Sequence, residues 1–328
     1  MQDRIVSISL LIIILLAGCA EDSVVPSASD ARFMLDTFCT ITVYAPNAEE
    51  LLAGAFSLIE QYENKFSISI ETSDIWRINN AGGQSVTVAP QTAELIQIAI
   101  EYGRISGGGF DITIGRLSRL WDFSGTRSVP SESEITNARE TVDFTQIIVT
   151  DNTVTLLHPD AWIDLGAIAK GYIARSLVSY FAENNTIGAV IDLGGDVTLV
   201  GEKPGASHWR LGVRQPTGEE SAVMGIIETA QAAVFTSGIY ERMFIYDGKI
   251  YHHILDPQTG RPINQDIISI TLLSACPVVA DVMTSIIMLA GVEEAHAIIA
   301  NTPELSGALL VKESGEIILI GDIAFEQL

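Results

Sequence analysis

Asp281 and Ser285 stand four residues apart in Ala280-Asp281-Val282-Met283-Thr284-Ser285, just after Pro277 opens a helical stretch. That spacing puts both side chains on one helix face, with Thr284 beside them. A carboxylate and a hydroxyl make a hard-oxygen pair suited to Mg²⁺, which takes one or two protein carboxylates and completes its shell with water and phosphate oxygens. The same pair also fits a plain acid favoured by the helix dipole, with a serine bonded back to its own helix. A second segment, Asp164-Leu165-Gly166-Ala167-Ile168-Ala169-Lys170-Gly171-Tyr172, leads from a strand into a helix. Its amides and its lysine could hold a phosphate at a helix N-terminus, or its glycines could simply pack a tight junction. It is not a Walker A loop, because the lysine precedes its glycine and no hydroxyl follows. A third segment, Tyr251-His252-His253-Ile254-Leu255-Asp256-Pro257-Gln258-Thr259-Gly260-Arg261-Pro262, runs from a strand into a proline-stiffened turn. Adjacent histidines on a strand face opposite ways, so a His₂ metal site is improbable, while one imidazole can face a cleft as a general base or remain structural.

These segments need rigid elements to bring them together. Phe38–Tyr44 alternates as a strand, and the apolar positions 52, 55, 56, 59 and 62 form one helical stripe. Further helices are predicted over 91–105, 168–183, 278–290 and 292–300. Strands are predicted near 146–150, 153–157, 161–164 and 188–193, then as short pieces over 198–255, with a closing hairpin at 307–312 and 316–320. The glycines at 107–109 open a loop carrying Phe110 and Asp111, residues 124–134 read as an excursion, and Gly194-Gly195-Asp196 reads as a turn open to close approach. Strands and helices mix without regular βαβ alternation, so the fold class is α+β.

The composition narrows the partners. The chain has 328 residues, 48% hydrophobic, with 41 Asp+Glu against 18 Lys+Arg and a formal charge of −23. No basic cluster exists to release counterions, which excludes nucleic acid. The apolar run 5–16 is too short to span a bilayer and has the length of a signal-peptide core. It is followed by Leu16-Ala17-Gly18-Cys19, which resembles a bacterial lipobox. The expected organisation is a signal peptide over 1–18, a flexible tether over 19–31 from a lipidated Cys19, and one domain over 32–328. Lipid on Cys19 would hold the mature chain to the cell membrane, facing the periplasm or the exterior. Cys39 and Cys276 could pair in an oxidising compartment, but nothing in the sequence brings them within bridging distance, and small buried thiols are the plainer expectation.

In chain order, the motifs resemble those of the ApbE family of FAD:protein FMN transferases over nearly the whole mature chain. Met34-Leu35-Asp36-Thr37 is similar to the family's M-G-T with an altered second residue. Glu63–Ser67 and Ser73–Asn79 are similar to its acidic-F-S and S-x-[IL]-x-x-[IL]-N region. Gly109-Phe110-Asp111 and Leu120-Trp121-Asp122-Phe123 resemble G-x-F-D and W-G-F; Asp164–Tyr172 resembles D-L-G-G-I-A-K-G-Y, with Ala167 for the second glycine. Gly194-Gly195-Asp196, Thr236-Ser237-Gly238, His253–Pro262 and Ala280–Ser285 follow in the family's order.

The resemblance implies a duplicated T-fold-like body with mixed or antiparallel sheets packed by helices and the site between its halves. It implies FAD bound across Met34, Gly109, Phe110, Asp111, Asp164, Lys170 and Ile254. Mg²⁺ would be held by Asp281, the Ser285 hydroxyl and the Ala167 carbonyl, with His253 assisting proton removal. The implied reaction moves FMN from FAD to a threonine hydroxyl of an exported acceptor and releases AMP. The family's acceptors are subunits of the sodium-pumping NADH:quinone oxidoreductase and Rnf-type complexes. Ser69 stands where many members carry a tyrosine that stacks on the flavin, which leaves FAD hydrolysis to FMN and AMP, or flavin binding without turnover, as alternatives. Because so acidic a body repels a dinucleotide, strict Mg²⁺ dependence is expected.

Overall fold

The computed structural model describes residues 25–123, 125, 127–217 and 222–328. The apolar run and the lipobox with Cys19 lie outside the described residues. One eight-stranded antiparallel sheet organises the chain, in the spatial order β1 (Ser27–Met34), β2 (Thr37–Tyr44), β6 (Gly188–Leu193), β7 (Val197–Gly201), β10 (Ala233–Gly238), β15 (Ile267–Ser274), β16 (Leu305–Lys312) and β17 (Ile317–Gly321). Small sheets flank it: β3 (Val86–Thr87) with β5 (Thr153–Leu156) and β4 (Ile147–Thr150); β8 (Trp209–Arg214) with β9 (Val223–Thr229) and β18 (Phe325–Gln327). There are also two hairpins, β11 (Met243–Tyr246) with β12 (Lys249–His252), and β13 (Leu255–Asp256) with β14 (Arg261–Pro262).

The large sheet has two halves that meet where β7 pairs with β10. In the first, the hairpin β1–β2 leads to α1 (Ala48–Phe66), and α6 (Ala169–Glu183) returns to the hairpin β6–β7. In the second, β10 and β15 lead to α7 (Pro277–Ala290) and α8 (Val292–Ala300), which return to β16–β17. Each half is thus a strand pair, two packed helices and a strand pair, which is the duplicated architecture the resemblance implies. Cys39, Ile41 and Val43 point from β2 into the core, meeting the α1 stripe of Leu52, Ala55, Phe56 and Ile59. Helix α7 is apolar nearly all round and lies buried along β10 and β15. Asp281 on it is therefore a carboxylate in a hydrophobic layer.

Several expectations need correction. Residues 27–31 of the expected tether belong to β1, which pairs with β2 from Ser27↔Tyr44 to Met34↔Thr37. The 161–164 strand is only an isolated parallel bridge, Ile114↔Trp162, because buried Asn79 takes both backbone groups of Ile163, at 2.7 and 2.8 Å. The 124–134 excursion runs into α5 (Glu132–Arg139), started by a reciprocal Ser131–Glu134 capping box. Short helices α2 (Asp74–Asn79) and α4 (Gly115–Trp121) were not foreseen, while α3 (Pro90–Ile105) was. Cys39 and Cys276 are free thiols, the first buried and the second partly so.

The β1–β2 turn places Leu35 and Asp36 at φ +55° and +58°. Two consecutive left-handed residues define the hairpin turn that favours Asn and Gly. Asp36→Gly is expected to raise stability by about 0.5 kcal/mol, the relieved strain less glycine's added chain entropy, measured as a higher urea midpoint.

Candidate active site at the junction of the two halves

Helices α6 and α7 touch at Gly171. A side chain there would stand 2.6 Å from the Pro277 carbonyl and 2.9 Å from Val278 Cα, so only glycine admits this crossing. The contact lets Asp281 Oδ2 accept the Gly171 N–H at 2.7 Å. In a regular helix that N–H would bond the Ala167 carbonyl four residues back. The neighbouring amide keeps the rule, Tyr172 donating to the Ile168 carbonyl at 3.1 Å. Diverting the Gly171 amide leaves the Ala167 carbonyl without a backbone partner among the described residues. It sits at an exposed helix start beside the buried carboxylate.

The hydroxyls on α7 divide between structure and availability. Thr284 donates to the Asp281 carbonyl at 2.7 Å and accepts from Ser237 on β10 at 2.8 Å, so its hydroxyl is spent on packing. Ser285, half-buried one turn beyond Asp281, makes no side-chain hydrogen bond to a described residue. Around them lie Lys170, whose ammonium pairs with buried Asp196, and Glu241. Asp196 also takes the Thr236 N–H at 3.1 Å. Burial pulls the Lys170 pKa down, but Asp196, Asp281 and Glu241 more than reverse this and hold the ammonium charged. Burial pushes Asp281 up to about 7 despite Lys170, and Asp196 adds to the rise. Burial also raises Glu241 and Asp192. Asp196, Asp281 and Glu241 act on Lys170, while Arg214 and Arg242 also act on Glu241.

His253 follows the end of β12, held by its own N–H to the Arg242 carbonyl at 3.0 Å. Nδ1 is enclosed without a hydrogen-bond partner among the described residues. Burial lowers its pKa to about 4, aided by Arg242, His252 and Lys170, which keeps the imidazole neutral at physiological pH. His252 is buried on the opposite face of the strand, as the alternation requires. A cavity of ≈410 Å³ opens beside this cluster, lined by Thr37, Gly194, Gly195, Arg214, Tyr240 and Glu241 among others.

The other sequence-predicted residues divide in role. Met34 ends β1 at the turn, half-buried, and Leu35 N–H is held by Glu63 at 2.8 Å. Gly109 packs against Leu289 of the second half. Phe110 sends its ring into the core beside Tyr102, so it offers no face to a ligand. Asp111 spends one oxygen on Thr113 and the other on the Phe144 amide, and so clamps its loop. Asp164 accepts the Gly166 amide at 2.8 Å and shapes the entry to α6. Ile254 is half-buried and its carbonyl takes the Ile263 amide. Asp256 accepts the Gln258 amide and stiffens its turn. Ser69 is exposed and bonded to Ser67, offering no ring. Lys170 is ion-paired with Asp196. Sequence spacing assigns Asp196 and Asn79 no role; their burial and partners make them positioning residues.

A Mg²⁺ ion fits this donor set. The second oxygen of Asp281, the unspent Ser285 hydroxyl and the released Ala167 carbonyl are hard oxygens from both halves. The junction of the two halves gathers these oxygens, the Lys170 ammonium and the neutral His253 imidazole. The chain belongs to the ApbE family, whose model matches residues 35–309. It is 35% identical over 277 residues to an FAD:protein FMN transferase of Klebsiella pneumoniae, covering 83% of this chain and 85% of that protein. A Treponema pallidum protein of the same name is 30% identical over 307 residues, covering 87% and 85%. The crystal structure of the ApbE protein from Thermotoga maritima superposes with a TM-score of 0.82 at 30% identity, covering 90% of this chain and 97% of that one.

Proposed function

We propose that this chain is an FAD:protein FMN transferase that uses Mg²⁺ held by Asp281, Ser285 and the Ala167 carbonyl. The observation that carries the metal reading is the diversion of the Gly171 amide to Asp281, which frees a carbonyl beside an unspent hydroxyl. FAD enters the cleft at the junction with its pyrophosphate toward Lys170. The threonine oxygen of the acceptor bonds to the FMN phosphorus as the bond from that phosphorus to the bridging oxygen breaks, and AMP leaves with that oxygen. His253 takes the hydroxyl proton. A divalent cation bound here supplies Lewis-acid stabilisation of charge on the pyrophosphate, worth several kcal/mol. Lys170 stays charged because of its carboxylates and adds a fixed positive field.

The acceptor is an exported protein of the Rnf or sodium-pumping redox type, and Cys19 carries the lipid that holds the enzyme at the membrane. The test incubates residues 19–328 with FAD, Mg²⁺ and the extracytoplasmic domain of an Rnf-type subunit. A fluorescent acceptor band that survives a denaturing gel supports transfer. AMP and FMN without that band would instead support hydrolysis, the reading that the exposed Ser69 favours.

The metal reading also predicts a pH-dependent stability. The Asp281 pKa lies above its unfolded value, so in metal-free protein its contribution is fullest below about pH 4 and is lost as pH rises through about 7. A cation reverses that loss by binding the ionised form. Millimolar Mg²⁺ is expected to raise Tm clearly at about pH 8 and little at about pH 5.5, where a proton competes. Equal shifts at both values would remove Asp281 from the metal shell.

A further inference from the structure

The hairpin β11–β12 stands beside the site with an apolar outer face. Ile245 and Ile250, paired directly across it, are 66% and 50% exposed, and Met243 on the same face is also exposed. A two-stranded hairpin is marginal alone. This one is fixed from its inner face: Phe244 stacks on Tyr251 at 5.4 Å, Tyr251 on Trp121 at 5.5 Å, and Phe123 lies 5.8 Å from Phe244. The turn at Asp247-Gly248, with φ of +48° and +73°, closes it tightly. Solvent therefore meets a preformed ridge. The same ladder continues through the backbone of Arg242 and His253, so the hairpin ends at the chain segment that carries His253, whose side chain leaves the face opposite to the ridge.

We infer that this ridge docks the acceptor protein, bringing its threonine to His253; the inference rests on the transferase reading, in which the second substrate is a folded protein. Three observations select that occupant. The ridge lies three residues from His253 along the same hairpin, so a protein that covers it is brought to the segment carrying that histidine. Residues 243–252 carry one Asp and one Lys, a neutral patch on a body of formal charge −23, so a protein can approach here without the repulsion found elsewhere. Finally, the chain enters the sheet at Ser27, which pairs with Tyr44, whereas the site lies at the opposite end, by the turn after Met34 and the Gly194-Gly195-Asp196 turn. Eight residues of β1 separate these ends by roughly 25 Å, at about 3.3 Å per residue. With the lipid on Cys19 proposed above, the anchor would join the sheet at the end away from the site, which leaves the ridge to a protein.

The experiment measures flavin transfer by wild type, Ile245→Gln/Ile250→Gln, and Leu319→Gln, an exposed apolar residue of β17 that serves as control. Acceptors are the extracytoplasmic domain of an Rnf-type subunit and a short peptide carrying the same threonine. The double variant is expected to raise KM for the domain about tenfold, with kcat, KM for the peptide and FAD affinity changed less than twofold. Leu319→Gln should leave all four near wild type. The milder Ile245→Ala guards against misfolding and should raise KM for the domain by a smaller factor. An active wild type with unchanged KM in the double variant overturns docking alone. Equal losses on domain and peptide overturn it too, since the ridge would then shape the site. A wild-type dimer that the substitutions dissociate, or binding to anionic vesicles that they abolish, would assign the ridge to a second copy or to lipid and overturn the proposal. A wild type that transfers nothing to either acceptor overturns the transferase reading, and docking with it.

Discussion

Asp281→Asn is expected to lower the rate of FMN transfer by about 10³-fold while leaving the fold intact. Its size follows from the Lewis-acid term: about 4 kcal/mol of lost charge stabilisation is about three factors of ten in rate. Asparagine is the informative replacement because its carbonyl oxygen can still accept the Gly171 N–H that Asp281 takes at 2.7 Å. Alanine would leave that buried amide unsatisfied, at about 1–3 kcal/mol, and so confuse lost catalysis with lost structure. The substitution also removes one of three carboxylates crowding Lys170, and it removes the charge that burial opposes. In a metal chelator at about pH 8 the variant should therefore melt no lower than wild type, and added Mg²⁺ should no longer raise its Tm. The checks are single-turnover transfer at saturating FAD and thermal melts with and without Mg²⁺. Wild-type rates from Asp281→Asn at ordinary Mg²⁺ would show that the carboxylate holds no catalytic ion.

Much of this arrangement could be read from residue types and spacing. The Asp281/Ser285 pair, the Asp164–Tyr172 junction and the alternation at His252-His253 each led to elements that the structure places together. The large helices were legible because each buries one face of a periodic stripe, as α1 does with Leu52, Phe56 and Ile59. What escaped reading has physical reasons. Strand β1 is the sheet's outer edge and is exposed on both faces, so it carries no alternation and resembles a tether. The backbone around Ile163 is satisfied by the side chain of Asn79, a partner 84 residues away that no local pattern announces. Helix α5 did leave a signal, Ser131 followed by Glu134, but proline and serine around it argued for a loop. The Gly194-Gly195-Asp196 turn was visible, yet only the fold reveals that Asp196 is buried and spends its charge on Lys170. The pairing of Lys170 makes it one member of a cluster of carboxylates and basic groups.

His253→Asn is expected to lower transfer by about 10²–10³-fold with FAD affinity unchanged, within the usual range for removing a general base. Asparagine roughly matches the imidazole in reach but cannot accept a proton from threonine at physiological pH. The structure further specifies the pH profile. Burial holds His253 near 4, so its imidazole is neutral throughout the working range and contributes no falling limb between about pH 5 and 8. The acid limb of wild-type transfer should instead follow Asp281, which takes a proton near 7 in competition with the metal. Raising Mg²⁺ should shift that limb to lower pH, because more metal displaces the proton, whereas a limb set by a histidine base would stay in place. His253→Asn should keep the same metal-sensitive limb at its reduced rate. The measurement is kcat/KM for the acceptor from about pH 5 to 9 at two Mg²⁺ levels. A limb that ignores Mg²⁺ and vanishes in His253→Asn would assign the titration to the histidine and reverse the roles of the two residues.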